Sequence, residues 1–147
     1  MPESKYYFIP VTIRLNKDIK KLLEENGLPT EDIDDHVKLL ALVGEDGIIG
    51  TGGLEYCEDN ALMRSICVKP AYRGLGFGRV ITMQLESLVM EKNIGNIFLL
   101  TTTAKDYFQK LGYELVERND VPLAIKNTSE FSVTCPSSAT VMMKSLL

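Results

Sequence analysis

Two regular segments of this chain are joined by the sequence ICVKPAYRGLGFGR, residues Ile66–Arg79. The residues before its glycines, 61–68, are predicted to form a strand, and those after them carry an apolar stripe at helical spacing to about Lys92. Glycines let a backbone approach a ligand closely, and the first N–H groups of a helix attract anions. A tight chain reversal is the alternative use of these glycines. Their position between a strand and a helix start favours an anion site.

Two common phosphate-binding motifs do not fit this turn. A P-loop would continue with Lys and then Ser or Thr, and no such pair follows here. A dinucleotide site of the Rossmann type needs a βαβ unit, whereas the strands before this turn are predicted to form hairpins. The anion site is therefore of another kind, and Arg73 and Arg79 supply positive charge beside it.

The rest of the chain predicts an α/β (α+β) protein. Before the turn we predict a strand (5–11), a helix (16–27) with Asn16 as its N-cap and Gly27 at its end, and a short acidic turn (30–35). A three-stranded antiparallel meander follows (37–43, 48–56 and 61–68). After the turn, helices and strands alternate. The predicted helices are at about 77–92, 104–111 and 122–129, and the predicted strands are at about 96–102, 113–117 and 139–146.

Composition sets limits on the class of protein. The chain has 147 residues, of which 45% are hydrophobic and 24% charged, and this predicts one folded domain over residues 1–147. Three cysteines without metal-ligand spacing, and no apolar leader, predict a cytoplasmic location and no metal. A net charge of −4 argues against nucleic acid or a membrane as the main partner. The sequence leaves a homodimer open.

The glycine-rich segment resembles the GNAT superfamily of N-acetyltransferases, whose signature is a strand ending in Val-x-Pro before Arg/Gln-x-x-Gly-x-Gly/Ala at a helix start. The resemblance implies a GNAT-like mixed, mostly antiparallel sheet of about seven strands with helices on both faces, and acetyl-CoA as acetyl donor. It also implies that the strand residues Ile66, Cys67 and Val68 bind the acetyl and pantetheine groups. The pyrophosphate would lie against Arg73, Gly74, Leu75, Gly76, Phe77, Gly78 and Arg79.

A second stretch, Ala104–Tyr113, resembles the superfamily pattern Ala-x-x-Leu-Tyr-x-Lys-x-Gly-Phe. Phe108 stands where the family usually has a tyrosine that protonates the departing thiolate. Tyr107 is adjacent, but a step of one residue turns a helix by about 100°, so Tyr107 is interpreted as structural. Together with the preceding run Phe98–Thr102, this segment resembles amino-acid N-acetyltransferases of the glutamate-acetylating kind, in which a phenylalanine likewise replaces the tyrosine. Thr101 and Phe108 are therefore assigned to the acetyl-CoA site.

Glu55 is the candidate general base. An ammonium must lose a proton before it can attack a thioester, so a carboxylate, or a water held by one, is required near the acetyl group. Glu55 lies near the end of strand 48–56 among apolar or small residues. A surface charge on the meander is the alternative. His36, the one histidine, lies among acidic residues in a predicted loop and is a weaker candidate.

Arg64 is the candidate substrate-binding residue. The period of two along strand 61–68 predicts that it shares a face with Leu62, Ile66 and Val68, which in the superfamily looks onto the acceptor. An arginine there needs an anion, and a substrate carboxylate could bind it in a bidentate manner. The alternative is an internal ion pair with Glu55 on the neighbouring strand.

Further fragments, among them residues 121–131 and 135–139, resemble the N-acetyltransferases associated with arsenic resistance. The sequence thus predicts an acetyl-CoA-dependent N-acetyltransferase that acts on a small amino-acid-like amine, with an arsenic-containing or toxic amino-acid analogue as one candidate. Direct arsenic binding by the cysteines is disfavoured, because buried apolar cysteine is common. A non-catalytic acyl-CoA sensor and a protein N-acetyltransferase are the alternatives.

Overall fold

The computed structural model describes residues 5–128, 131 and 139–146, and these form one mixed sheet with helices on both faces. Within these residues the sheet has seven strands in the order β1-β2-β3-β4-β5-β7-β6. Neighbours β4 and β5 are parallel, and the other neighbouring pairs are antiparallel. The predicted fold class is thereby confirmed. The elements are β1 (Tyr7–Val11), α1 (Lys17–Glu25), β2 (Val37–Gly44), β3 (Gly47–Cys57), β4 (Asn60–Val68), α2 (Phe77–Glu91), β5 (Asn96–Thr101), α3 (Lys105–Lys110), β6 (Glu114–Leu115), α4 (Leu123–Lys126) and β7 (Thr140–Ser145).

Helix α1 begins and packs as its sequence predicts. The side chain of Asn16 accepts a hydrogen bond from the backbone N–H of Ile19 at 3.0 Å, which satisfies one of the free donors of the first turn. Ile19, Leu22 and Leu23 are buried along one face of the helix. They pack against the first strands of the sheet in a cluster that also contains Leu39 of β2.

Helix α2 lies close to the centre of the sheet because β3 has a glycine at the point of contact. A Cβ atom at Gly52 would lie 2.6 Å from Cγ2 of Ile81, closer than real side-chain contacts, and a tight 3.0 Å from Cδ1 of Leu85. The close approach fixes the start of α2 beside the ends of β3 and β4. It therefore determines where the glycine-rich turn lies.

The apolar core has two layers, one on each face of the sheet. The layer beneath α2 and α3 is one continuous cluster that includes Leu54, Met63, Leu85, Ile97 and Met142. On the opposite face, one cluster surrounds α1 and another surrounds α4, where Leu62, Phe98 and Ile125 are buried. The two clusters of the second face adjoin different parts of β4.

Some predicted elements differ from the observed ones. The strand predicted at 113–117 is limited to Glu114–Leu115, because the backbone N–H of Tyr113 donates to the Phe108 carbonyl and completes the end of α3. The predicted helix 122–129 ends at Lys126, where the Thr128 hydroxyl donates to the Ile125 carbonyl. Residues 30–35, by contrast, form turns as predicted.

The residues around Cys135 lie outside the described part of the chain, and with them the fragment 135–138. No helix within residues 5–128, 131 and 139–146 is both long and apolar enough to cross a bilayer.

Candidate active site

A β-bulge in β4 shapes the site. Thr51 of β3 lies opposite Cys67, whereas Gly53 lies opposite Arg64, so β4 has one extra residue between these pairs. Ser65 takes up the difference with φ of 58°, a left-handed conformation that is uncommon for a residue other than glycine. The Thr51 hydroxyl donates a hydrogen bond of 2.8 Å to the Ser65 carbonyl and fixes the bulge.

The bulge reverses which face of the sheet successive β4 side chains occupy. Ahead of it, Met63 packs beneath α2 and Leu62 packs on the opposite face with the α4 cluster. Beyond it, Ile66 and Val68 pack on the α2 side, and Cys67 packs with the α1 cluster. The prediction that strict alternation puts Arg64 on one face with Ile66 and Val68 is therefore wrong, because the extra residue inverts the alternation.

Beyond the bulge, β4 and β5 separate. Their parallel pairing ends at Met63 and Leu99, and a cleft of about 740 Å³ opens between the diverging strands. On its other side the cleft reaches the turn that begins α2. Because Cys67 and Val68 pair with β3 on one side alone, backbone groups on their other side face the cleft.

The start of α2 presents backbone N–H groups to this cleft. Gly76 is its N-cap, with φ of 88°, and no side chain caps the first turn. A Cβ atom at Gly76 would meet no atom within 4 Å, so the space above the turn is open. These features fit the diphosphate of coenzyme A, because free N–H groups and the positive end of a 15-residue helix favour an anion.

Arg73 fixes the turn to the rest of the molecule. Its Nε donates to the Val68 carbonyl at 3.0 Å, and Nη2 donates to Asn26 Oδ1 at 2.5 Å at the end of α1. The side chain is exposed, so its charge lies at the mouth of the cleft. The turn is therefore preorganised before any ligand binds.

Most of the residues assigned to acetyl-CoA from the sequence line the cleft. Leu75 and Arg79 of that set are exposed residues of the turn and are not part of the lining. The assigned residues that line it are Ile66, Cys67, Val68, Arg73, Gly74, Gly76, Phe77, Gly78, Thr101 and Phe108.

The two aromatic residues of α3 differ in their surroundings. Phe108 is 7% exposed and lies in the core beside Tyr113, with ring centroids 5.8 Å apart. Tyr107 lies in the cleft, and a Cβ atom at Gly78 would collide with its hydroxyl. Burial raises the pKa of Tyr107, so the hydroxyl stays protonated at neutral pH. Tyr107 thus faces the helix start, a position that the sequence interpretation did not anticipate.

Buried charges lie beside the cleft at Arg64, and its partners Asp32 and Glu55 are not among the residues that line the cleft. Arg64 lines the cleft with a side chain that is 0% exposed, and Nη1 and Nη2 bind both oxygens of Asp32 at 2.5 and 2.7 Å. Nη1 also binds Glu55 Oε1 at 2.7 Å, and the Glu55 side chain is 4% exposed. The ion pair between Arg64 and Glu55 is present, which the sequence left open as the alternative to binding a substrate carboxylate. A substrate carboxylate would have to displace Asp32.

His36 extends this network to the surface. Its Nε2 lies 3.3 Å from Glu55 Oε2, and its Nδ1 contacts Asp34 Oδ1. The His36 side chain is 51% exposed, in contrast to that of Glu55. In the part of the chain that the structure describes, no group of His, Cys, Asp and Glu is arranged to hold a metal ion.

Sequence reasoning missed Asp32 as a partner of Arg64 and His36 as a partner of Glu55. The available signal was the run of acidic residues at 31–35. A buried arginine on a core strand needs anions, and that run was the nearest unassigned source of them. Nothing in the local pattern specifies which of the four acids turns inward.

Residues 35–115 match the family model of the acetyltransferase (GNAT) domain, which is more than half of the chain, and the chain belongs to that family. The family predicted from the glycine-rich turn is thereby confirmed. An uncharacterized Bacillus subtilis protein, YyaT, is 33% identical over 72 residues, which are 48% of this chain and 49% of that protein. An amino-acid acetyltransferase of Pasteurella multocida is 26% identical over 107 residues, 68% of this chain and 24% of that enzyme. This chain therefore spans about half the length of YyaT and about a quarter of the length of the Pasteurella multocida enzyme.

Solved structures share the fold. N-acetylglutamate synthase from Neisseria gonorrhoeae, complexed with coenzyme A and N-acetyl-glutamate, superposes with a TM-score of 0.80 at 15% identity, covering 99% of this chain and 36% of that one. A GNAT-family acetyltransferase from Staphylococcus aureus gives 0.75 at 15% identity, covering 97% of this chain and 100% of that one.

Proposed function

We propose that this protein transfers the acetyl group of acetyl-CoA to the amine of a small amino-acid-like molecule. The observation that carries the proposal is the cleft between β4 and β5, which runs from the uncapped start of α2 to the buried Arg64. One end of the cleft suits a diphosphate, and the other lies at the buried Arg64, which binds the Asp32 and Glu55 carboxylates. The names of the amino-acid acetyltransferase and of the N-acetylglutamate synthase complex support this acceptor class.

The chain holds the donor through its backbone. The N–H groups at the start of α2 bind the pyrophosphate, and Ile66–Val68 provide backbone partners for the pantetheine amides and the acetyl carbonyl. Hydrogen bonds to that carbonyl stabilise the negative charge that develops on its oxygen during attack. Among the described residues, the groups that bind the donor are backbone groups of the glycine-rich turn and of β4. Donor binding therefore depends little on side chains.

Glu55 and Arg64 act at the acceptor end. The acceptor carboxylate takes the place of Asp32 on Arg64, and this brings the neighbouring α-amine close to Glu55, which stays on Nη1. Glu55 accepts a proton from the ammonium, directly or through one water, and the free amine then attacks the acetyl carbonyl. As the C–S bond breaks, the departing thiolate takes the second proton of the attacking nitrogen, and coenzyme A leaves as the thiol. The short contact between Glu55 and Arg64 supports this geometry, because it sets the base beside the carboxylate position.

A turnover assay tests the function. Free thiol would be measured with purified protein, acetyl-CoA and a panel of amino acids that includes an arsenic-containing analogue and a short peptide. We expect an amino acid to be acetylated faster than its amide, and mass spectrometry identifies the product. Tight binding of acetyl-CoA without turnover of any acceptor would indicate an acyl-CoA sensor instead. Preferred turnover of the peptide would indicate a protein acetyltransferase.

The role of Glu55 has a separate test. Glu55→Gln keeps the shape of the side chain and removes the base, so kcat at pH 7 should fall by about 10²-fold, and the deficit should shrink as pH rises and the acceptor loses its proton unaided. Glu58→Gln, in the exposed turn after β3, is the matched control and should leave kcat unchanged. Equal rates for Glu55→Gln and the control at pH 7 would exclude Glu55 as the base.

A further inference from the structure

We propose that His36 carries the proton that Glu55 takes from the acceptor out to solvent. The inference rests on the proposed role of Glu55 and adds the residue that restores this base after each turnover. Neither residue can serve alone. Neither side chain belongs to the described lining of the cleft. Glu55 contacts the lining residue Arg64 but is buried and cannot exchange its proton directly with bulk water, whereas His36 is exposed and contacts Glu55.

The contacts of Glu55 leave one oxygen for proton release. Oε1 accepts a hydrogen bond from Arg64 at 2.7 Å, and a guanidinium cannot take up another proton. Oε2 faces Nε2 of His36 at 3.3 Å. Since the Glu55 side chain is 4% exposed, the route through Oε2 and His36 is the outlet that the described contacts provide.

Asp34 fixes which nitrogen of His36 takes part. The pKa of Asp34 is lowered, chiefly by the hydrogen bond from the His36 backbone N–H, so its carboxylate remains an acceptor at neutral pH. The ring proton on Nδ1 therefore points to Asp34, and Nε2 is left to exchange a proton with Glu55. A carboxylate and a bare ring nitrogen are both acceptors, so their 3.3 Å contact is favourable when a proton lies between them.

The proton moves in three balanced steps. The acceptor ammonium gives one proton to the Glu55 carboxylate and becomes the attacking amine. Protonated Glu55 passes it from Oε2 to Nε2 of His36, which becomes an imidazolium while Glu55 returns to the carboxylate. The imidazolium then gives the proton to water or buffer. The charged groups that face His36 from described elements are Asp34 on its own loop and Glu55 on β3, with Arg64 of β4 behind Glu55.

Rescue by a small base tests the relay. In a dilute buffer whose components accept protons poorly, His36→Ala should lower kcat roughly tenfold. This decrease is smaller than the decrease expected for Glu55→Gln. Added imidazole should restore the rate of His36→Ala and leave the wild type unchanged, and His36→Gln, which fills the space, should be slow and respond less. Asp35→Asn, an exposed acid of the same loop, is the matched control. The affinity for coenzyme A should be unaffected in all of these variants.

A double-variant cycle separates this proposal from the proposed function. In a Glu55→Gln background, His36→Ala should cause no further loss, because the relay acts through Glu55 alone. Additive losses, or a full rate for His36→Ala in weak buffer, would overturn the relay while leaving Glu55 as the base. A full rate for Glu55→Gln would overturn both assignments, and no turnover by the wild type with any amine would overturn the function.

Discussion

At the scale of single residues, Arg64 has the most demanding environment in the described structure. Its guanidinium is removed from water and lies against Asp32 and Glu55. Charges cost several kcal/mol each to bury, and their mutual attraction offsets this when the geometry is good. The three side chains therefore depend on one another, and the loss of one leaves a buried charge without its partner.

We expect Arg64→Met to reduce the free energy of unfolding by about 3–5 kcal/mol, because two buried carboxylates lose their counter-charge. Urea denaturation of the purified variant measures it. The matched triple variant, in which Asp32→Asn and Glu55→Gln accompany Arg64→Met, should recover most of the loss, since it buries no unpaired charge. A single variant as stable as the wild type would show that Arg64 is exposed to water in solution.

Cys57 gives a prediction on thiol reactivity. Burial, with Glu55 and Glu58 nearby, raises the pKa of the Cys57 thiol to about 11. The thiolate is the reactive species, so alkylation by iodoacetamide in the folded protein should be slow at pH 8 and rise about tenfold per pH unit up to the pKa. Peptide mass spectrometry after timed alkylation would follow Cys57 individually. Rapid labelling at pH 8 would contradict the burial of this side chain.

At the scale of elements, the loop between α1 and β2 supplies three side chains to the charged network. Asp32, Asp34 and His36 are spaced two residues apart in the turns that precede β2. The loop reaches β4 through Asp32 and the end of β3 through His36. Asp32 binds Arg64 with the two-point geometry of a substrate carboxylate, so this loop must shift when an amino acid binds as proposed.

Asp32→Asn tests that shift. The variant weakens the internal competitor for Arg64, so KM for an amino-acid acceptor should fall severalfold, while KM for the corresponding amide should not change. Steady-state kinetics with both acceptors measure this, with Asp35→Asn as the control from the same loop. An unchanged or raised KM for the amino acid would mean that the pair of Asp32 and Arg64 is structural and that the carboxylate binds elsewhere.

Helix α2 gives a second test at this scale. Gly76→Asp puts a negative charge into the open space above the helix start, where it repels the pyrophosphate, so affinity for coenzyme A should fall at least about tenfold, or 1.4 kcal/mol by calorimetry. Gly47→Asp carries the same substituent at a positive φ in the hairpin between β2 and β3, away from the cleft. It should match the strain of Gly76→Asp without loss of affinity. Equal affinities for the two variants would place the anion elsewhere.

For the whole molecule, the architecture follows closely from local patterns. The meander comes from apolar strands separated by Glu45-Asp46-Gly47 and Glu58-Asp59-Asn60, and α1 and α2 follow from their apolar stripes. The glycine-rich turn also indicated an anion site, because several glycines and two arginines stand between a strand and an uncapped helix start. These signals lie within short windows of sequence.

The acceptor end could not be predicted in the same way. The bulge at Ser65 has no signature in its own residues, and it changes which face Arg64 occupies. The partners of Arg64 come from positions 32 and 55, which become neighbours when β3, β4 and the loop before β2 assemble. Strand parity assumes an uninterrupted ladder, so a single extra residue defeats it.

The separation of β4 from β5 gives the sheet a third edge, in the interior of the molecule. An outer edge strand can recruit another chain, and proteins protect such edges by shortening, charging or covering them. Here the stretch Ile66–Val68, which β5 leaves without a partner strand on one side, lies within a cleft walled by the start of α2 and by α3, where a narrow, amide-bearing ligand fits more easily than a second sheet. Such a ligand would complete the sheet as an added strand, and the slowed hydrogen exchange of these backbone amides would reveal its binding.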